Sequence, residues 1–231
     1  MLRSFRELTG RFVKNKWAWA AVVYWVVHSI LYEVFVRVYG TFPPEKILLI
    51  HSPLDDRIPF LEWFVVPYVI WYLFVLAVAI RSFSMGNRAL LRFHLLTVPC
   101  MLASMVFCLF VPNGLPLSIR PVFEELGRNN PAIWAVKLLY SIDSPPLVVM
   151  PSMHCSVATV LAGFYLISGE FRGRVKRKAA VGILSVLIVL STVFIKQHSV
   201  LDLIFGVLLG AAVTLLVWLG ETIYDRRKKA A

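Results

Sequence analysis

His198 and Asp202 stand four residues apart in the stretch Ile195-Lys196-Gln197-His198-Ser199-Val200-Leu201-Asp202. On a helix that spacing sets both side chains on one face, about 40° apart around the axis. A carboxylate placed there accepts the Nδ1 proton of the imidazole, fixes its tautomer and leaves Nε2 as a free lone pair. A histidine held in that way is a candidate nucleophile or base. The competing reading is a polar hairpin with a chance i, i+4 pair. A second histidine, His154, follows Pro151-Ser152-Met153, and Arg120-Pro121 lies upstream. Ser152 at a helix start can cap it, and the free N–H groups of a first turn suit an anion. A guanidinium adds a fork matched to phosphate oxygens. Beside a bound phosphate, one imidazole attacks phosphorus and the other protonates the leaving oxygen, since both tasks need a pKa near neutrality. Fixed positive groups then hold the transition-state charge, so this chemistry calls for no metal and no cofactor.

Apolar elements must position these groups. Of 231 residues, 59% are hydrophobic and 16% charged, against about 25% charged in soluble domains. Mean hydropathy is +0.75. The charges are bunched between apolar runs, the pattern of an all-α polytopic membrane protein. No linker divides the chain, so residues 1–231 are expected to form one unit. A net charge of +11 raises the question of nucleic acid. The basic residues flank apolar spans, so topology accounts for them and no nucleic-acid partner is expected. Cys100, Cys108 and Cys155 have no spacing that suggests a disulfide framework or a zinc site, and they read as packing residues.

A bilayer core needs about 20 mostly apolar residues per helix. Six segments qualify, roughly 17–36, 60–80, 93–111, 152–169, 179–195 and 200–219. The fourth is short at its apolar centre. The first is too long for a cleaved signal peptide and reads as an uncleaved span. Seventeen of the 24 basic residues fall at the N-terminus, between spans two and three, between spans four and five, and at the C-terminus. The remaining seven lie on the other side. The positive-inside rule therefore predicts cytoplasmic termini. Arg120, His154 and His198 then fall together at the outer face. With no organelle signal, a bacterial plasma membrane is the simplest setting.

Smaller features shape the loops. Glu33 and Arg37 are spaced to pair, and His28 lies mid-span with no partner visible in sequence. Asp55 precedes a Pro-containing turn and reads as a local helix cap. Pro67 is expected to kink the second span. The segment from Val111 to Pro151 is long for an unstructured loop. Asn130-Pro131 reads there as N-cap and N1 of a short interfacial helix, Ala132 to Tyr140, lying at the membrane surface as a lid or wall. Gly206 and Gly210 form a G-x-x-x-G that fits close packing within the bundle.

Arg120-Pro121, Pro151-Ser152-Met153-His154, and Ser191 through His198 to Asp202 resemble the three signatures of the type 2 phosphatidic acid phosphatase and haloperoxidase superfamily. The resemblance implies a six-transmembrane-helix bundle with His198 as nucleophile, Asp202 as its orienter and His154 as the acid. It also implies that Arg120, Ser152 and the Met153 backbone N–H hold phosphate. Three positions depart from the pattern. Asn113 stands where the first signature has lysine, Thr192 where the third has arginine, and Met153 where the second has glycine. Lys196, two residues before His198, is a candidate to replace one of these phosphate cations, the alternative being a topology charge. Asp143-Ser144-Pro145, Lys196-Gln197-His198 and Ile58-Pro59-Phe60 are similar to the branch that contains inositol phosphorylceramide and sphingomyelin synthases.

Three functions follow as expectations. The first is a lipid phosphatase, in which water resolves a phosphohistidine. The second is a phosphotransferase that uses the same histidines and passes a phospho-headgroup to a lipid alcohol. The third is a non-enzymatic transporter or scaffold, which charged groups inside several spans would favour. A phospholipid or lipid phosphate in the bilayer is the expected partner.

Overall fold

The computed structural model describes residues 15–230 and is built almost wholly of helices. Arg3, Arg6, Arg11 and Lys14 of the N-terminal basic cluster lie outside the described residues. In chain order the helices are α1 (Lys16–Tyr39), α2 (Pro53–Arg57), α3 (Val65–Met85), α4 (Asn87–Phe110), α5 (Pro131–Ile142), α6 (Met153–Ile167), α7 (Val175–Phe194) and α8 (Val200–Ala230). Short 3-10 turns at Pro44–Lys46, Glu62–Phe64, Leu117–Ile119 and Gly169–Phe171 join them.

Five of these helices are long and apolar enough to cross a membrane, which makes this a multi-pass membrane protein. The expected fourth span is α6, with only 15 residues. At 1.5 Å per residue it is about 22 Å long, shorter than a hydrocarbon core of about 30 Å. A short helix fits where protein rather than lipid surrounds it. It packs against α4, α7 and α8, and Val157, Leu161 and Phe164 on it are fully buried with Phe93, Leu96 and Ile188. The chain that leads into it is buried in protein, where non-helical backbone is tolerated. By contrast, Leu73, Leu76, Phe110 and Leu216 on the neighbouring helices are exposed, as a lipid-facing surface requires.

The G-x-x-x-G of α8 faces α6. A Cβ at Gly206 would sit 2.7 Å from the Ser152 carbonyl, and one at Gly210 would sit 2.6 Å from that of Ser156. The two backbones meet there because no side chain intervenes. Pro67 falls in the first turn of α3, where its missing N–H has no intrahelical partner to lose.

At the histidine end of the bundle three loop segments lie side by side. β1 (Leu48–Leu49) pairs in parallel with β2 (Asn113–Gly114), and Gly114 bridges to Leu147. At the opposite end buried Arg92 of α4 reaches Glu221 of α8 at 2.9 Å, Ser168 at the end of α6 at 2.8 Å, and Glu170 at 3.4 Å.

Candidate active site

The turn before α8 carries the first histidine. α7 closes through Lys196 N–H to the Val193 carbonyl and Gln197 N–H to the Thr192 carbonyl. That pair of bonds is a Schellman ending, which places Lys196 at the left-handed position with φ 54°. A lysine there costs about 1–2 kcal/mol relative to the ordinary helical region. Its side chain offsets the cost by donating to the backbone carbonyls of Asp55 and Ile58 in the first long loop. Burial lowers the Lys196 pKa, while Asp55 and Asp56 oppose that shift.

The helix that follows begins at Val200, so His198 precedes it. The sequence spacing predicts two groups on one helical face, whereas the pair is made by a helix start. Ser199 is the capping residue, and the Asp202 carboxylate reaches back to its backbone N–H at 3.0 Å. The same oxygen lies 3.3 Å from Nδ1 of His198. An ionised carboxylate only accepts, so Nδ1 carries the proton and Nε2 keeps its lone pair. Asp55 adds a clamp from a distant loop. Its carboxylate accepts from Ser199 Oγ at 2.6 Å, from Val200 N–H at 2.8 Å and from Ser52 N–H at 2.7 Å. The cap of α2 is Ser52 rather than Asp55, which lies inside the helix, closes the capping box and also holds the start of α8.

The second histidine lies in the first turn of α6. Asn113, fully buried, fixes the approach to that turn. Its Oδ1 accepts from Val149 N–H at 3.0 Å and Met150 N–H at 2.9 Å. Ser152 caps the helix through its Oγ, and its N–H donates to the Asp202 carbonyl at 3.4 Å. Met153 turns its sulfur to His28 of α1, 3.2 Å from Nε2. His154 is held between two rings of α3, with Tyr68 stacked at 4.3 Å and Trp71 at 4.4 Å between centroids. The rings of His154 and His198 are 6.1 Å apart.

Arg120 follows the Leu117–Ile119 turn, and its side chain is 8% exposed. Its guanidinium lies 4.0 Å over the Tyr140 ring and donates to Gln197 Oε1 at 2.8 Å. It also donates to the Asp143 carbonyl at 3.3 Å and to the Asp143 carboxylate at 3.4 Å. Tyr140 donates to the Ile195 carbonyl at 2.6 Å, which ties α5 to the turn beside His198. The other end of α5 is fixed by Glu62, which accepts from Arg128 at 2.7 Å and Asn130 at 3.1 Å. The short helix is therefore Pro131–Ile142, with Asn130 as its cap and Pro131 at its start, a little longer than the sequence suggests.

One cluster thus gathers His154, His198, Asp202, Arg120, Ser152 and Asp143. The ammonium of Lys196 is directed to loop carbonyls, and Asn113 to the backbone before α6. Among the described residues, seven buried side-chain polar atoms have no hydrogen-bond partner. Three belong to this cluster, Arg120 Nε, His154 Nε2 and Asp202 Oδ1, and two to side chains in contact with it, Trp71 Nε1 against His154 and Gln197 Nε2 beside Arg120. Each such atom costs about 1–3 kcal/mol, so their concentration in one place marks a site built for a polar ligand.

Comparison with known protein families matches residues 98–222, more than half of the chain, to the PAP2 superfamily. The chain belongs to the PAP2 superfamily. Comparison with curated proteins and with solved structures finds no match. PAP2 membership supports an enzyme acting on phosphoesters in a membrane setting. The matched residues take in Arg120, Ser152, His154, His198 and Asp202, but Asp55, Tyr68 and Trp71 lie before them. The sequence reading of PAP2-like signatures left these three out of the site, along with Tyr140 and Gln197. The Tyr68, Trp71, Tyr72 spacing in an apolar span was the one available signal, since it puts an aromatic stripe on one helical face.

Proposed function

We propose that this protein hydrolyses a phosphate ester of a lipid through a phosphohistidine intermediate, at the outward-facing end of the bundle. Nε2 of His198 attacks phosphorus as the bond to the lipid oxygen breaks, and His154 gives that oxygen a proton. Water then attacks phosphorus, the P–N bond breaks, and His154 takes a proton from the water as inorganic phosphate leaves. Asp202 keeps the His198 tautomer fixed and stabilises the charge its ring acquires. Arg120, Ser152 and the first N–H groups of α6 supply positive ends to the equatorial oxygens.

The observation that carries this reading is the 6.1 Å separation of two imidazoles, of which only one has a carboxylate on Nδ1. That asymmetry suits a division between nucleophile and acid. Transfer to a lipid alcohol uses the same first step and needs room for a second lipid. The inner face of α5 is filled by Val65, Tyr68, Val136, Tyr140 and Ile195, which favours water as the acceptor.

Purified protein given a headgroup-labelled lipid, with and without an added lipid alcohol, separates the outcomes. Labelled inorganic phosphate is expected in both cases. A new labelled lipid would instead identify a phosphotransferase. His198→Ala is expected to abolish turnover, and full activity in that variant removes the nucleophile from the scheme.

A further inference from the structure

We infer that Gln197 is a ligand for the substrate phosphate, presented by Arg120. This rests on the reading of the site as a phosphate centre with His198 as nucleophile. Gln197 is 1% exposed and directly precedes His198. A guanidinium has no acceptor atom, so the oxygen of the Gln197 amide must face Arg120 and the NH2 must face away. The amide orientation is therefore fixed by chemistry.

That NH2 has no partner among the described residues, although a buried donor is normally satisfied. The backbone cannot swing it elsewhere. Gln197 N–H and His198 N–H both donate to the Thr192 carbonyl, at 2.9 and 3.0 Å. Lys196 is fastened to the first long loop, and Tyr140 to the Ile195 carbonyl. The residue directly before the nucleophile therefore carries a neutral amide bonded at one end to the guanidinium, with the other end unpartnered among the described residues. A phosphate oxygen there accepts from Gln197 Nε2, and Arg120 polarises the same amide. Arg120 Nε and Trp71 Nε1 are two further buried donors without a partner among the described residues.

Gln197→Glu separates a ligand from a mere support for Arg120. A carboxylate keeps and strengthens the contact with the guanidinium, yet it turns an acceptor toward the anion in place of a donor. Gln197→Met removes both ends at similar volume. The probe is inorganic orthovanadate, measured as an inhibitor of lipid hydrolysis in detergent, with KM and kcat alongside. The expected result is a loss of vanadate affinity of about 100-fold for Gln197→Glu and about tenfold for Gln197→Met. Vanadate affinity in Gln197→Glu within about threefold of the parent would overturn the ligand role, leaving only support for Arg120. If the glutamate does not fold, Gln197→Asn withdraws the amide by one methylene, and unchanged affinity there overturns the role equally. His198→Ala is the control: full turnover in it overturns the phosphate-centre reading and the ligand role together. A dead control with a normal Gln197→Glu overturns the ligand role alone.

Discussion

Asp143 serves Arg120 at a cost to itself. Its carbonyl and carboxylate both take bonds from the guanidinium, but burial raises its pKa above the ordinary carboxyl value against the pull of Arg120 and His198. A carboxyl raised in this way binds its proton more tightly in the folded state than in the unfolded one. The stability this gives is complete below the ordinary carboxyl pKa and is lost as pH rises through the raised value. Asp143→Asn has no such proton and keeps the backbone carbonyl for Arg120. The Tm of the variant minus that of the parent, measured in detergent, is therefore expected to grow as pH rises above the ordinary carboxyl value of about 4. A constant difference over that rise would show that burial of the carboxyl is not felt. Asp143 was legible in the sequence only as part of a motif, because its partner is 23 residues away. Asp55 was less legible still. A local helix cap accounts for it in sequence, and its bond to Ser199 spans 144 residues.

Between helices, the decisive contact is α6 against α8. Gly206→Ala puts a methyl 2.7 Å from the Ser152 carbonyl and 2.8 Å from Cys155 Cβ, both beyond accommodation without movement. Overpacking of this kind costs about 1–3 kcal/mol. The displaced residue is the cap that leads into His154, so turnover is expected to fall together with Tm. Gly220→Ala on the same helix meets nothing within 4 Å and is the matched control, with Tm unchanged or raised. If both alanines behave alike, the close approach does not matter. Helices and their order were readable from apolar runs and basic flanks, because those follow from lipid thickness and charge. The Schellman ending at Lys196 was hidden, since that position usually belongs to glycine. A spacing of four hence pointed to a helical face where the chain makes a turn and a cap.

At the level of the whole bundle, the two ends are built differently. The histidine end is a set of loops stitched by Asn113, Asp55, Lys196 and Tyr140. The far end is pinned by Arg92, which joins α4, α6 and α8 through Ser168 and Glu221. Arg92→Leu leaves Glu221 without its main cation and is expected to cost about 2–3 kcal/mol, read as a lower denaturation temperature. Activity per folded molecule is expected to stay at the parent level, because no site residue touches Arg92. A selective loss of kcat without loss of stability would contradict this separation.

The length of α6 fixes how deep the reaction lies. Its far end is tethered at Ser168 to charges that belong at the water level. Counted from that anchor, the helix stops about 8 Å short of the opposite edge of the hydrocarbon slab. In a bilayer of that thickness, with α6 upright, His154 would form the floor of a dimple. On the proposed mechanism, phosphorus would be met below the plane of neighbouring headgroups, so a lipid would have to sink, or the bilayer around it thin, before its ester reached the imidazoles.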